Sequence, residues 1–452
     1  MAEGTVTHIG KRSVVSSRWH AEPGKFCHLS VLDRLMEQNQ VKIVYYYPSR
    51  GDHAEPGEWI KKLRDSLSCV LTNFPILTGR LHKNQEGHWM VKCNDGGVRM
   101  VEAKVKGSVE DWLKSVDREK ELKLLYWEEM FHKPYHWPAV YVQVTEFEKG
   151  GLAIGLSCCH LLADPICATM FSKAWADTTL SGIMSTPPLF HSLPLTKADY
   201  SKIPNDESCT DLINYYKYSI ERLTPLTTNQ KYATVTLSFT DSMVRDCIAM
   251  AQATGASGKS GSPAFEALAA LFWVCLSKVK ATKGRLFNMS LCLDMRNCLG
   301  LDPGFFGNCM VCNKVHLESA GETMLPEATK AISEVVKKMN AEGIKDLIQW
   351  LKCNDNQTVP LMNDYDLICV NLEGVNPYLA TFKDQLEPLQ VSYYVEPMVG
   401  PGQVLISRSA PGEGPLSRVV MATLPEDEVA KLCEDDLIQR FSPAVLMGTN
   451  KN

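Results

Sequence analysis

The chain has no apolar run long enough to cross a bilayer. Its longest, near Phe265–Leu276, falls short of the roughly 20 residues that a spanning helix needs. It has no long basic run, and its formal net charge is −5, which argues against nucleic acid as the main partner. The start, Met1-Ala-Glu-Gly-Thr-Val-Thr-His8, lacks the basic-then-apolar layout of a secretory signal. The 16 cysteines therefore read as reduced thiols of a cytoplasmic protein, mostly small core residues. In that setting the Asn-x-Ser/Thr triplets at Asn288 and Asn356 carry no glycosylation reading. No low-complexity segment and no strong repeat between the halves is present.

Two tempting motifs are incomplete. Gly255-Ala-Ser-Gly258-Lys259-Ser260 suggests a phosphate loop, but Ala253 stands where the motif needs glycine, and a helix precedes it rather than a strand. It reads as a plain loop. Cys309-Met-Val-Cys312 has the spacing of a zinc pair without a second pair at ribbon distance, and no metal is expected.

With 452 residues, two domains are the default, here 1–200 and 201–452. Hydrophobic residues are 45% and charged residues 22%, as in ordinary globular proteins. In the first half, strands are expected at Ser13–Val15, Val41–Tyr47 and Val140–Phe147, with a turn or short helix from His28 to Asp33. A helix is expected over Glu58–Phe74, where Trp59, Ile60, Leu63, Leu67, Val70, Leu71 and Phe74 share a face. His88–Cys93 and Val98–Glu102 read as a hairpin around Asn94-Asp-Gly-Gly97.

From Ser181 to Ser208 periodicity is lost and prolines collect, the mark of a long crossover between domains. Beyond it, strands are expected at Ala233–Phe239, Phe287–Leu293, Met310–Leu317, Leu367–Leu372, Val391–Glu396, Val404–Ser409 and Val419–Leu424. Helices are expected at Ser242–Ala253, Phe265–Val279, Glu322–Met339 and Pro425–Phe441. Strands and helices mix in both halves, so the fold class is α/β.

One stretch carries chemistry. Residues 152–159 are a continuous small-to-apolar run, the pattern of a strand covered on both faces. The run stops at His160; Asp164 follows four residues on, and Pro165 pre-sets a helix over Ile166–Ala176. An imidazole at a buried strand end can serve as a base. A packed core histidine beside a helix-capping Asp gives the same pattern, and the spacing alone does not separate the two.

Further segments occur in a fixed order around it. They are Phe74-Pro-Ile-Leu-Thr-Gly79-Arg80-Leu81, Cys93-Asn-Asp-Gly-Gly-Val98, His160-x-x-x-Asp164 and Ser262-x-x-Phe265-Glu266-x-Leu268-x-Ala270-x-x-Trp273. Leu293-Asp294-Met-Arg296 and Phe305-Phe306-Gly307-Asn308 complete the set. In this order they closely resemble the BAHD family of plant coenzyme-A-dependent acyltransferases, over nearly the whole chain. The resemblance implies two chloramphenicol-acetyltransferase-like α/β domains with an active-site channel at their interface. It implies His160 as general base, and Asp164 turned away from substrate and paired with Arg296. No bound cofactor is implied. The partners would be an acyl-CoA co-substrate and an alcohol, in preference to an amine, of a plant metabolite or lipid.

The chain departs from the family at its second signature, Asp-Phe-Gly-Trp-Gly. Alignment puts Glu396-Pro-Met-Val-Gly400 there, keeping the last glycine and an acid at the start, in a loop the family holds remote from the reacting centre. Pro165 stands where a glycine usually follows the motif Asp. Both departures resemble the Eceriferum/Glossy-type proteins of wax biosynthesis. That resemblance implies an alternative: a non-catalytic accessory protein of very-long-chain fatty acid elongation, acting beside a membrane condensing enzyme.

Overall fold

The computed structural model describes residues 4–18, 25–49, 57–129, 134–194, 207–221, 230–252, 263–280, 287–315, 317, 324–354, 366–383, 386–398 and 400–448. They form two compact units. The first takes 1–192, 302–308 and 377–397; the second takes 193–301, 309–376 and 398–452.

The first eight strands all belong to the first unit. They are β1 (Val6–Val14), β2 (Phe26–His28), β3 (Gln40–Tyr47), β4 (Arg80–Lys83), β5 (Trp89–Lys92), β6 (Val98–Val105), β7 (Val140–Phe147) and β8 (Leu152–Cys159). One sheet runs β1-β6-β7-β8-β3, and β2-β5-β4 form a small separate sheet. Every residue of β8 is buried, as a continuous apolar strand requires. The unit's helices include α1 (Val31–Arg34), α2 (Glu58–Leu71) and α3 (Pro165–Ser181), with shorter ones at Pro75–Thr78, Val109–Ser115 and Arg118–Leu122. The apolar stripe of α2 packs on α3, where Trp175 donates its indole N–H to the Leu63 carbonyl at 3.1 Å.

The hairpin expected around Asn94–Gly97 is not formed. The turn itself has the left-handed backbone its residues favour, with φ 48° at Asp95 and 82° at Gly97. However, β5 pairs with β2 and β4, whereas β6 pairs with β1 and β7. The Arg80 guanidinium donates to the carbonyls of Gly96 and Gly97 at 2.5 and 3.0 Å, which holds the turn against β4 and sends β6 to the other sheet.

The remaining strands are β9 (Tyr232–Phe239), β10 (Met289–Asp294), β11 (Met310–Val315), β12 (Leu367–Asn371), β13 (Gln390–Glu396), β14 (Gln403–Arg408), β15 (Arg418–Pro425) and β16 (Ala444–Met447). All but β13 form the sheet of the second unit, in the order β11-β10-β12-β14-β15-β9-β16. Its helices are α4 (Glu207–Glu221), α5 (Asp241–Ala251), α6 (Pro263–Val279), α7 (Met324–Lys338), α8 (Ala341–Cys353), α9 (Glu426–Cys433) and α10 (Asp436–Gln439). Helix α6 is buried from Ala264 to Ser277 and is the centre of this core.

Helices α4 and α8 and strand β16 are additions to the sequence reading. The single helix expected over Pro425–Phe441 is two, because Asp435 leaves the helix to cap α10 through the Leu437 amide. Of the crossover, residues 195–206 lie outside the described residues, as do 255–260 with the phosphate-loop-like segment.

A cut at residue 200 does not describe the two units. Strand β13 comes late in the chain yet pairs antiparallel with β3, making the sixth strand of the first unit's sheet. Residues 302–308 also belong to that unit: Leu189 and Phe305 form a β-bridge, and the Leu189 amide donates to the Gly304 carbonyl at 2.7 Å. Among the described residues no helix is long and apolar enough to cross a membrane.

Candidate active site

His160 sits where the β8 ladder ends. Its backbone amide donates to the Asn39 carbonyl at 2.9 Å, and Cys159 donates to Ala139 at 2.8 Å, so both neighbouring strand ends hold it. The β7–β8 turn upstream is tight. Gly150 and Gly151 have φ of 114° and 98°, and a Cβ on Gly151 would meet the Val109 side chain at 2.4 Å. The residue is 3% exposed. Burial pushes its pKa below the usual value, against the opposing pull of Asp164, its own carbonyl and the Asn308 side chain. It is therefore neutral near pH 7 and able to accept a proton.

Asp164 is fully buried and is the N-cap of α3, accepting the Cys167 amide at 2.9 Å. Pro165 takes the first helical position, where its missing N–H is no loss. The capping reading of His-x-x-x-Asp is thus correct for Asp164, and it leaves the role of His160 open.

Residues 305–308 reach this region from a later part of the chain. Phe306 packs edge-to-face on Phe74, with ring centres 5.1 Å apart. The Gly307 amide donates to the Cys167 thiol at 3.3 Å. Next in line, Asn308 donates its side-chain amide to the His160 carbonyl and to Asp33 Oδ1, each at 2.8 Å. Asp33 is itself locked in a capping box with Ser30. The sequence reading passed over Asp33, although Ser30-x-x-Asp33 before an apolar pair carries that capping signal.

The neighbouring thiols are poor nucleophiles. Burial pushes the Cys159 thiol up to about 12 and raises that of Cys158 as well. Cys312 lies opposite Cys292 in the buried β10–β11 ladder. Among the described residues no three His, Cys, Asp or Glu side chains are gathered as metal ligands.

Arg296 is in the second unit, just after β10. Its guanidinium donates to Asp294 Oδ1 at 2.8 Å, and 6% of the residue is exposed. Glu396 ends β13, and its carboxylate pairs with Arg118 at 2.5 Å. The register sets Glu396 against Gln40 and Gln40 against Cys159. Glu396 is thus at the same end of the sheet as His160, two strands away, roughly 10 Å at the usual strand spacing. Burial lowers the pKa of Lys42 beside it, against the pull of Glu396 and with the repulsion of Arg118. Gly400 belongs to the second unit, has φ 72°, and accepts the Tyr232 hydroxyl on its carbonyl at 2.8 Å.

The chain thus combines two α/β units with a buried histidine at a strand end, before a helix that starts on proline. The pattern of the Transferase family matches residues 5–371, and the chain belongs to that family, the BAHD acyltransferases. It is similar to the ECERIFERUM 26-like protein of Arabidopsis thaliana, 25% identical over 434 residues, covering 94% of each chain. The fold is similar to the crystal structure of vinorine synthase, with a TM-score of 0.72 at 20% identity, covering 98% of this chain and 100% of that one. It is also similar to TRI101 of F. sporotrichioides, solved with coenzyme A and T-2, with a TM-score of 0.71 at 16% identity, covering 93% and 99%.

Proposed function

We propose that this protein is an acyl-CoA-dependent O-acyltransferase of the cytosol with His160 as its general base. The observation that carries the reading is the buried, neutral imidazole at the end of β8, held by bonds to its own backbone. In the reaction, Nε2 of His160 takes the proton of an acceptor hydroxyl as the oxygen attacks the thioester carbon. The tetrahedral intermediate then expels the coenzyme A thiolate, which recovers the proton from the imidazolium. An imidazole in this role contributes roughly 10²–10⁴-fold. Asp164 and Arg296, both buried, would pair and hold the turn that carries His160. The coenzyme A in the similar TRI101 structure supports acyl-CoA as co-substrate.

A second reading is favoured by a different observation. Only an acid and Gly400 remain of the family's second signature, and similarity to an Eceriferum-type protein spans 94% of the chain. On that reading the protein is a non-catalytic accessory of very-long-chain elongation beside a condensing enzyme. A screen of the purified protein against acetyl-, malonyl-, aromatic and long-chain acyl-CoAs with an extract of plant alcohols, scored by free thiol release, separates the two. Turnover that depends on His160 supports the first. No turnover, with chain extension beside an elongase retained by His160→Ala, supports the second.

A further inference from the structure

We propose that Asp33 is a positioning residue that sets the tautomer of His160 by orienting the side-chain amide of Asn308. The proposal rests on the acyl-transfer reading for its purpose, but its geometry is independent of it. All three residues belong to the first unit, and all three are buried.

The Asn308 amide has one orientation. Its Nδ2 donates to Asp33 Oδ1 and to the His160 carbonyl, each at 2.8 Å. Turning the amide over would set Oδ1 against two acceptor oxygens, leaving two buried clashes where two bonds stood. Asp33 cannot move away to relieve this. Its Oδ1 also takes the Asn308 backbone amide at 2.9 Å, its Oδ2 takes the Ser30 amide at 2.6 Å, and its own amide donates to the Ser30 hydroxyl at 3.1 Å.

That orientation leaves Asn308 Oδ1 on the side away from Asp33. Oδ1 is buried and has no hydrogen-bond partner among the described residues; the same is true of Nδ1 of His160. The two atoms do not bond each other in this structure, and each is a complementary partner that the other lacks. The groups that act on the ring from within this unit include its own carbonyl and the Asn308 side chain, and an oxygen of either can only accept. With such an acceptor turned to Nδ1, the proton stays on Nδ1 and the lone pair is left on Nε2. When Nε2 takes the substrate proton, Nδ1–H stays, and the Asn308 oxygen faces the resulting imidazolium. Asp33 never touches the ring. It acts only by deciding which end of the amide the ring sees.

The test is the ring ¹⁵N spectrum of His160 in full-length protein labelled on histidine, assigned by the signal lost in His160→Gln. Above the titration range the wild type should show a protonated Nδ1 and a pyridine-like Nε2. Asn308→Ala and Asp33→Ala should both move His160 toward a mixed or Nε2–H state, and Asp33→Asn, which still offers Asn308 an oxygen, should recover most of the wild-type pattern. Should Asp33→Ala fail to fold, the other two variants decide. A wild-type Nε2–H tautomer overturns the proposal, and so does an unchanged tautomer in folded Asn308→Ala. Turnover gives a second readout: with the acyl-CoA that releases most thiol, kcat should fall about 100-fold in Asn308→Ala with KM little changed. If no acyl-CoA is turned over by wild type, the acyl-transfer reading fails by itself, and the tautomer result still stands or falls on the spectrum.

Discussion

Oδ1 of Asp164 accepts the backbone amide of Cys167 at 2.9 Å, so the residue four places after His160 is the cap of helix α3. Pairing with Arg296 is a second, proposed role, and one substitution separates the two. Asn caps a helix about as well as Asp but has no charge. If the carboxylate faces Arg296, Asp164→Asn leaves that cation with Asp294 alone and lowers stability by about 1.5–3 kcal/mol, the range for a hydrogen bond between charged groups. If it only caps, the loss stays below about 1 kcal/mol. Urea midpoints of Asp164→Asn and His160→Ala, measured together, give the answer; equal midpoints mean that the pairing is wrong.

Acid should weaken the fold through His160. Its folded pKa lies below the usual 6.5, and burial is the main cause. In the unfolded chain it titrates near 6.5. As pH falls below that value the unfolded chain binds a proton that the folded chain excludes. The stability linked to neutral His160 is therefore present above about 6.5 and is lost as pH falls through the folded pKa. His160→Gln removes this dependence. The melting temperature of wild type minus that of the variant should decrease between about pH 7 and about pH 5. A difference that grows on acidification contradicts the neutral buried imidazole.

Glu396 should matter for stability rather than chemistry. Its carboxylate meets Arg118 at 2.5 Å, with both side chains 16% exposed. Glu396→Gln should lower stability by about 1.5–3 kcal/mol, the range for a hydrogen bond between charged groups. Glu396→Asp, which keeps the charge on a shorter arm, should lose less. Guanidinium denaturation of the three proteins checks this, and a Glu396→Gln midpoint equal to wild type would rule out a supporting role for the pair.

The strand, the turn and the helix start around His160 were legible because each is a local signal. An unbroken apolar run, a capping Asp and a proline at the first helical position all lie within 14 consecutive residues, 152–165. Partner choice was not legible. Asn94–Gly97 is a genuine turn, but Arg80, outside the turn and 16 and 17 positions before the carbonyls it holds, decides which sheet receives the next strand. Strand β13 reads correctly as a strand and still joins the sheet opposite to the one its position suggests. Asp33 was missed for the same reason: its cap is local, whereas its bond to Asn308 spans 275 positions. Helix α4 was hidden because Leu212, Ile213, Tyr215 and Tyr216 form a narrow buried stripe between polar residues, after a segment without periodicity.

The central claim is that His160 takes a proton from an acceptor during acyl transfer. The direct measurement is thiol release from an acyl-CoA panel with an alcohol extract, comparing wild type with His160→Ala at matched folded fraction. Wild type should release thiol with at least one class of acyl-CoA. That same acyl-CoA, at a hundredfold excess over its dissociation constant, should stabilise the fold by about 2.7 kcal/mol. His160→Ala should keep the stabilisation and lose roughly 10²–10⁴ in rate. Equal rates in the two proteins, or a wild type that neither releases thiol nor is stabilised by any acyl-CoA, would contradict it.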